Sequence, residues 1–188
     1  MEKNKKILLG YVIFAYDNKF RMNSYSAINE CEKYSDIYSI NRFNPAVKIK
    51  TKKDISVTYD NYTIVSDVFK TFCESQNYPG LEFITLANSP GLYWFKINNV
   101  LEWDPNDEGV RFLNYSEECK GYEEIIGATP FHLKIKEPVP DGFFRSDLCF
   151  GSFQNKFPLK IIGIETKRKL KEAGFKGIDD SEIFDKYQ

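Results

Sequence analysis

The sequence predicts an α+β fold, with mixed or antiparallel β-sheets, a few short helices and a C-terminal strand-helix-strand unit. The chain has 188 residues, enough to bury a core without disulfides or metals. Its composition is 42% hydrophobic and 16% aromatic, which indicates a well-filled interior. Short segments of alternating polarity are separated by turns, and only a few segments have helical spacing. We therefore predict a single domain over residues 1–188, with possible lobes at 1–137 and 143–188 on either side of the loop "EPVPDG".

The N-terminal part of the chain predicts a buried strand, a short helix and then solvated strands. The apolar run at 7–16 follows a basic start, as in a secretory signal peptide, but no small-residue cleavage site follows it. Its strand-like length and β-rich composition favour a buried first strand. Helical spacing behind a candidate cap at Ser24 predicts a helix over 24–34. Apolar and polar residues then alternate over much of 47–65, which predicts strands with one solvated face.

The middle of the chain predicts one amphipathic helix and then several strands. Ser66 is a candidate N-cap for the helix "DVFKTFCESQN". Strands are predicted for "LEFITL", "LYWFKI", "VRFLNY" and "FHLKIK", and "DPNDEG" is a strong turn signal. In "FHLKIK" the apolar side chains alternate with His132 and two lysines, so His132 is expected to face solvent. The apolar stripe of the helix consists of Val68, Phe69, Phe72 and Cys73.

The C-terminal segment predicts the strand-helix-strand unit. "FPLKIIGI" has the apolar character of a buried strand, and "ETKRKLKEAG" that of a helix with one thin apolar side. Glu165 in the first turn and lysines in the later turns complement the helix dipole. Gly174 is the predicted C-cap, and "FKGID" is expected to return the chain to the sheet.

Charge is unevenly distributed along the chain, although the net charge is only −1. So small a net charge gives no general attraction to nucleic acid or to an anionic membrane, and we predict neither as a partner. Eight acidic and two basic residues lie between Glu102 and Glu124, whereas residues 156–176 carry seven basic and two acidic ones. We interpret the basic segment as the solvated face of the predicted helix.

The acidic segment lies among aromatic residues, a combination that suits a surface for steering and anchoring a basic protein partner. The alternative is a set of solvated loop carboxylates, since a calcium-binding spacing is missing. The predicted partner-binding residues are Trp94, Glu102, Trp103, Asp104, Asp107, Glu108, Glu117, Glu118 and Tyr122.

The segment "FFRSDLCFGS" is rich in reactive side chains, but it lacks a complete catalytic motif. His132 is the only histidine, and no spacing links it to Ser146 or Asp147 as in a nucleophile motif. On a strand, Arg145 and Asp147 would lie on one face and pair with neighbouring strands or with each other. We therefore predict a structural network and no enzyme. The alternatives are a small hydrolase-type enzyme that uses Arg145, Asp147 and His132, and a generic binding module.

The four cysteines are scattered and form no CxxC pair, so they encode neither a zinc site nor a small disulfide framework. Cys149 lies between Leu148 and Phe150, as expected of a buried and inert strand thiol. From these observations we predict reduced thiols, no metal, no cofactor and a cytoplasmic protein.

The text "GFFRSDLCFGS", followed by "FPLKIIGIETKRKLKEAGFKGID", resembles bacterial immunity proteins of polymorphic toxin systems and related proteins with a double CxxCG motif. The resemblance implies an α+β protein that binds and neutralises a cognate toxin without catalysis. The chain departs from the zinc-binding relatives at Cys119-Lys120-Gly121-Tyr122, where a second cysteine would be expected, and the first sixty or so residues carry no part of the resemblance. The residues that carry the structural motif are Phe144, Ser146, Asp147, Gly174 and Gly177.

Overall fold

The computed structural model describes residues 6–16, 19–22, 30–38, 43–104 and 106–185. These residues form two sheets, mostly antiparallel, with two short α-helices and a C-terminal strand-helix-strand unit, which confirms the predicted fold class. The α-helices are α1 (Asp67–Ser75) and α2 (Ile164–Ala173), and 3-10 helices cover Glu30–Tyr34 and Phe153–Asn155. The strands are β1 (Leu8–Ala15), β2 (Ile55–Val57), β3 (Thr63–Ser66), β4 (Leu81–Thr85), β5 (Leu92–Ile97), β6 (Val100–Leu101), β7 (Arg111–Ser116), β8 (Gly121–Ile126), β9 (Phe143–Ser152), β10 (Phe157–Ile162) and β11 (Ile178–Phe184).

The large sheet has the strand order β11-β1-β10-β9-β8-β7, and β6 pairs with β9 in parallel. β1 lies between β10 and β11 and is antiparallel to both, with Tyr11 opposite Ile162 on one side and Glu182 on the other. Leu9 and Val12 are almost fully buried, so the prediction of a buried first strand is confirmed. Because β1 pairs with two C-terminal strands, the segments 1–137 and 143–188 share one sheet.

Apolar clusters cover both faces of the large sheet. On one face, Phe143 makes edge-to-face contacts with Phe69 of α1 and Phe95 of β5, with ring centroids 5.9 and 5.3 Å away. This cluster lies between the large sheet and the small sheet, whose strand order is β2-β3-β5-β4. On the other face, Trp103 packs against Phe150 at 4.9 Å, and apolar residues of segment 128–139 cover the contact.

Helix α1 begins at the cap that the sequence predicts. The hydroxyl oxygen of Ser66 accepts a hydrogen bond of 3.2 Å from the amide of Phe69, which satisfies one of the free donors of the first turn. Phe69 and Cys73 are buried, whereas Val68 is 65% exposed. The predicted stripe was therefore wrong at Val68, because a residue directly before a core position is rotated about 100° away from the core.

The C-terminal unit joins the large sheet to the small one. Gly174 ends α2 with a φ of 71°, the left-handed conformation of a helix C-cap, as predicted. Phe175 then packs on Phe69 with ring centroids 5.1 Å apart. Gly177 has a φ of 95° and passes so close to β2 that an added Cβ would lie 2.3 Å from the carbonyl oxygen of Ile55. Only glycine fits this approach without a shift of the backbone.

Two strand predictions were wrong. Residues 47–50 form no strand, and the amide of Ile49 donates instead to the hydroxyl of Ser89. Residues 131–136 contribute a single bridge, between Leu133 and Trp103. Prolines flank this second segment, and it lies across the apolar face of the large sheet instead of pairing along a strand.

The predicted helix over 24–34 is described only from residue 30 onward, where the chain forms the 3-10 helix Glu30–Tyr34. Ser24 and its proposed cap lie outside the described residues. Across the part of the chain that the structure describes, no helix is both long enough and apolar enough to cross a membrane.

Candidate functional site

The β7–β8 hairpin forms one edge of the large sheet and presents aromatic side chains to solvent. Phe112 is 44% exposed and Tyr115 is 48% exposed. The ring of Tyr122 lies between them, with its centroid 5.1 Å from that of Phe112 and 4.9 Å from that of Tyr115. We call these three residues the aromatic row. Exposed aromatic rings in mutual contact are typical of binding surfaces, because they are held in place before a partner arrives.

The backbone at Asn114 explains why two residues of β7 contact the same ring. Phe112 and Tyr115 are three positions apart, so in a regular strand they would lie on opposite faces. Asn114 has a φ of 54°, a left-handed conformation that asparagine tolerates better than most residues. Its side-chain amide donates a hydrogen bond of 2.9 Å to Glu123 on β8. The irregular residue brings both rings against Tyr122.

A cavity of about 240 Å³ lies beside the aromatic row and shares Phe112 with it. Three carboxylates, from Asp104, Asp107 and Asp147, lie in its wall, and none of its lining residues is basic. We call it the acidic cavity. Its position makes it suited to receive a cationic side chain next to exposed aromatic surface. The lining residues are Trp103, Asp104, Asp107, Val110, Phe112, Asp147 and Leu148.

Asp107 is held by several donors at the base of the hairpin. Its carboxylate accepts hydrogen bonds of 2.9 Å from the indole N–H of Trp103 and 3.0 Å from the amide of Gly109. Burial favours the neutral acid, but these donors and His132 outweigh it, so the pKa of Asp107 is below its ordinary value. The carboxylate therefore remains charged at neutral pH.

His132 lies against Asp107 and does not face solvent as predicted. Its Nδ1 is 3.1 Å from Asp107 Oδ1, at an angle outside hydrogen-bond geometry, and its side chain is 18% exposed. The prediction of an exposed histidine failed because residues 131–136 do not alternate as a strand. The bridge at Leu133 places His132 next to the 104–109 turn, where the amide of Asp104 donates to the His132 carbonyl.

Asp147 lies in a bulge of β9 and binds backbone amides. Its Oδ1 accepts hydrogen bonds of 2.8 Å from the amides of Trp103 and Leu148. The β9–β10 register shifts at this point, and the buried hydroxyl of Ser146 bonds to the Leu148 carbonyl and to the Leu159 amide. The motif residues Ser146 and Asp147 thus fix the bulge that brings a carboxylate to the acidic cavity.

Arg145 and Asp147 were predicted to lie on one face and to pair with neighbouring strands or with each other; they do not share a face, and they do not pair with each other. The bulge breaks the alternation on which that prediction rested. The guanidinium of Arg145 lies 4.9 Å from the ring centroid of Tyr38, on the side of the small sheet. Asp147 contacts Trp103 instead. Phe144, another residue of the structural motif, packs in the apolar cluster that contains Trp103.

A disulfide between Cys31 and Cys119 holds the hairpin turn against the 3-10 helix Glu30–Tyr34. The prediction of four reduced thiols was therefore wrong, because sequence spacing does not reveal that residues 88 positions apart meet. Gly121, which follows the turn, lies close to the 3-10 helix, since an added Cβ would be only 3.0 Å from the Cβ and carbonyl oxygen of Tyr34. Cys73 and Cys149 are free and buried.

The structure divides the predicted partner-binding residues into four groups. Trp103, Asp104 and Asp107 line the acidic cavity, and all three are buried apart from the surface that they give to its wall. Glu117 and Glu118 lie exposed at the hairpin turn, and Tyr122 belongs to the aromatic row. Trp94 is buried in the small sheet with Tyr62 and Phe43, so its predicted place on an exposed face was wrong.

Two further predicted residues lie near the hairpin base. Glu108 is exposed in the 104–109 turn, and Glu102 forms an exposed ion pair with Lys134. The sequence prediction missed Phe112 and Tyr115, although their exposure beside an acidic turn is visible in "RFLNYSEE" once that strand is placed at a sheet edge.

The described residues contain no group of three or more side chains arranged to hold a metal ion. Cys119 is the cysteine that stands where the zinc-binding relatives have a CxxCG motif. It is oxidised and cannot act as a thiolate ligand. Comparisons with protein-family models, curated proteins and solved structures found no match.

Proposed function

We propose that the protein is an immunity protein that binds a cognate bacterial toxin through the aromatic row and the acidic cavity. The observation that carries the proposal is their contact: Phe112 belongs to both, so one continuous surface offers exposed rings and a carboxylate-lined recess. The resemblance of the C-terminal segment to immunity proteins of polymorphic toxin systems supplies the class of partner.

The chemistry of this surface favours a basic partner. An arginine or lysine of the toxin would enter the acidic cavity, where Asp147 Oδ2 accepts no hydrogen bond from the described residues. The rings of the aromatic row would cover apolar surface of the toxin around that contact. Glu117 and Glu118 at the hairpin turn would attract the toxin over a longer range, with a salt-dependent effect on the association rate.

Neutralisation in this proposal occurs by occlusion of the toxin and needs no catalysis. The alternative enzyme would use Arg145, Asp147 and His132 together, but Arg145 contacts Tyr38, whereas Asp147 and His132 lie with Trp103 and Asp107. The one feature that favours an enzyme is His132, which lies 3.1 Å from Asp107, a residue in the wall of the acidic cavity. The variant His132→Gln separates the two functions, since occlusion should survive it and acid-base catalysis should not.

The compartment is a separate question. We predict a cytoplasmic protein, but disulfides are uncommon in reduced cytoplasm, and the pair Cys31–Cys119 favours an oxidising location. Thiol trapping of the protein in intact cells, followed by mass spectrometry, would show whether these cysteines are oxidised where the protein acts.

The direct test is co-expression with the toxin encoded beside its gene. Cells that carry both proteins should grow, and cells that carry the toxin alone should die. If cells die equally fast with and without this protein, the proposed function is wrong.

Charge reversal tests the surface. Glu117→Lys should weaken toxin binding by about tenfold and reduce its salt dependence. Glu182→Lys is the matched control, because Glu182 is an exposed glutamate on β11, the other edge strand of the same sheet. Equal affinity of both variants, measured by calorimetry against the toxin at two salt concentrations, would show that the hairpin is not the binding surface.

A further inference from the structure

Two cations lie side by side on the inner face of the large sheet. Lys160 of β10 is directly opposite Arg145 of β9 on one side and Ile13 of β1 on the other. Residues directly opposite in an antiparallel pair project from the same face, and like charges at such positions destabilise the sheet. An anion bound next to these cations would therefore offset their repulsion and stabilise the sheet.

Neither cation has a carboxylate partner within the described residues. Lys160 forms no ion pair with any of them, and its amine lies 5.8 Å from the ring centroid of Phe157. Burial by the surrounding protein lowers the pKa of Lys160 to about 8, and no charged group opposes this effect. Arg145 donates from Nη1 to the carbonyl of Ser146, but its buried Nε has no acceptor.

A cavity of about 150 Å³ lies beside Lys160, where β1 and β10 of the large sheet meet β2 of the small sheet. Most of its wall is apolar, and its polar side chains are Lys160 and Asn61. The side-chain nitrogen of Asn61 donates a hydrogen bond to the Asn155 carbonyl, so the side-chain oxygen of Asn61 can still accept one. Its apolar wall is formed by Ile13, Phe14, Ala15, Val57, Phe157, Pro158 and Leu159.

We propose that this cavity binds a small organic carboxylate, whose apolar body fills the cavity and whose carboxylate pairs with Lys160. One carboxylate supplies the single negative charge that the unpaired ammonium group of Lys160 lacks, and it can accept a charge-assisted hydrogen bond from that group. A phosphate dianion would require more donors than the wall offers. The site does not depend on the proposed toxin-binding surface, since its wall comes from β1, β2, β10 and Asn61 and the hairpin contributes nothing to it.

Isothermal titration calorimetry with benzoate, benzamide and inorganic phosphate at pH 7 tests the proposal. Benzoate combines a single carboxylate with a flat apolar body, and benzamide keeps the body without the charge. We expect benzoate to bind at least about tenfold more tightly than benzamide and than phosphate. At pH 8, benzoate binding should take up protons, because the ion pair restores the charged amine, and titrations in two buffers of different ionisation enthalpy measure this uptake.

Two variants complete the test. Lys160→Met keeps the length of the side chain without its charge, and it should abolish the preference for benzoate over benzamide. Lys171→Met removes an exposed lysine of α2 that is outside this cavity, and it should leave that preference unchanged. The proposal is overturned if benzoate does not bind the unmodified protein, if Lys160→Met binds it equally well, or if phosphate binds as tightly as benzoate.

Because an unfolded variant would also lose binding, the circular dichroism spectrum of Lys160→Met is compared with that of the unmodified protein. Lys160→Arg supplies the second measurement, since it keeps a cation at the same position. Benzoate binding by Lys160→Arg together with its loss in a folded Lys160→Met supports the proposal, and loss in both with proton uptake absent in the unmodified protein refutes it.

Discussion

The disulfide between Cys31 and Cys119 connects the 3-10 helix Glu30–Tyr34 to the turn of the β7–β8 hairpin across 88 positions of the chain. The hairpin needs such a tether, because β8 pairs with β9 only at Glu124 and Ile125, and β7 has β8 as its only strand partner among the described residues. The link therefore fixes the part of the molecule that carries the aromatic row.

Reduction of this disulfide should destabilise the protein. Release of a loop of this length restores entropy to the unfolded chain, and we expect the free energy of unfolding to fall by about 2–4 kcal/mol. Urea denaturation with and without dithiothreitol measures the change. The double variant Cys31→Ser with Cys119→Ser should be as unstable as the reduced protein and insensitive to reductant. If the urea midpoint of the unmodified protein is the same with and without reductant, the disulfide does not contribute to stability.

Asp147 should contribute to the stability of the folded protein. Its Oδ1 accepts the amides of Trp103 and Leu148, so Asp147→Ala leaves two donors without their partner. Since the residue is exposed and water can replace part of the loss, we expect a cost of about 1–2 kcal/mol in the free energy of unfolding. Asp147→Asn keeps an oxygen acceptor and should lose less. An unchanged melting temperature for Asp147→Ala would contradict the role of this carboxylate as an anchor of the bulge.

The two motif glycines should respond differently to alanine. Gly174→Ala meets no atom within 4 Å and incurs only the cost of a left-handed alanine, about 1 kcal/mol. Gly177→Ala adds to that cost a clash at 2.3 Å with the carbonyl oxygen of Ile55, which forces β2 and the start of β11 apart. We expect its free energy of unfolding to fall by at least about 2 kcal/mol more than that of Gly174→Ala. Thermal denaturation of both variants measures the difference, and equal losses would mean that the contact with β2 is easily relaxed.

Local signals in the sequence predicted the parts of the fold that depend on neighbouring residues. Ser66 caps α1 and Gly174 ends α2 because both act on backbone groups within one turn. The buried strand at the N-terminus was visible from its apolar run. β6 and β8 were missed because β6 has two residues and β8 is partly exposed along its whole length, so neither has a clear apolar pattern.

The candidate site was only partly predictable, because its geometry depends on contacts between distant segments. The acidic turn and Tyr122 were visible in the sequence. The bulge at Asp147 depends on Ser146 and Leu159 in two different strands, and it separates Arg145 from Asp147, which regular alternation would place on one face. Alternation in residues 131–136 wrongly predicted an exposed His132, since the segment covers an apolar face.

Lys160 should give the protein a distinctive dependence on alkaline pH. Its pKa is about 8 in the folded protein and near 10.5 in the unfolded chain. Between these pH values the unfolded chain binds more protons than the folded protein. The contribution of Lys160 to the free energy of unfolding therefore rises with pH. Below pH 8 both states are protonated, and the cost of desolvating the cation is present in full. Because the side chain is partly exposed, we expect Lys160→Met to be more stable than the unmodified protein by only about 1–2 kcal/mol at pH 7.

The difference between the two proteins is the quantity to follow, because tyrosines and other lysines also titrate at alkaline pH. Urea denaturation at intervals from pH 7 to pH 10 should show the advantage of Lys160→Met shrinking as the pH rises through 8 toward 10.5. Saturating benzoate should reduce the advantage of Lys160→Met at pH 7, since a ligand that binds only the folded unmodified protein stabilises it. A constant advantage across the whole range would mean that Lys160 is as well solvated in the folded protein as in the unfolded chain, and the cavity would then lack the desolvated cation on which carboxylate binding depends.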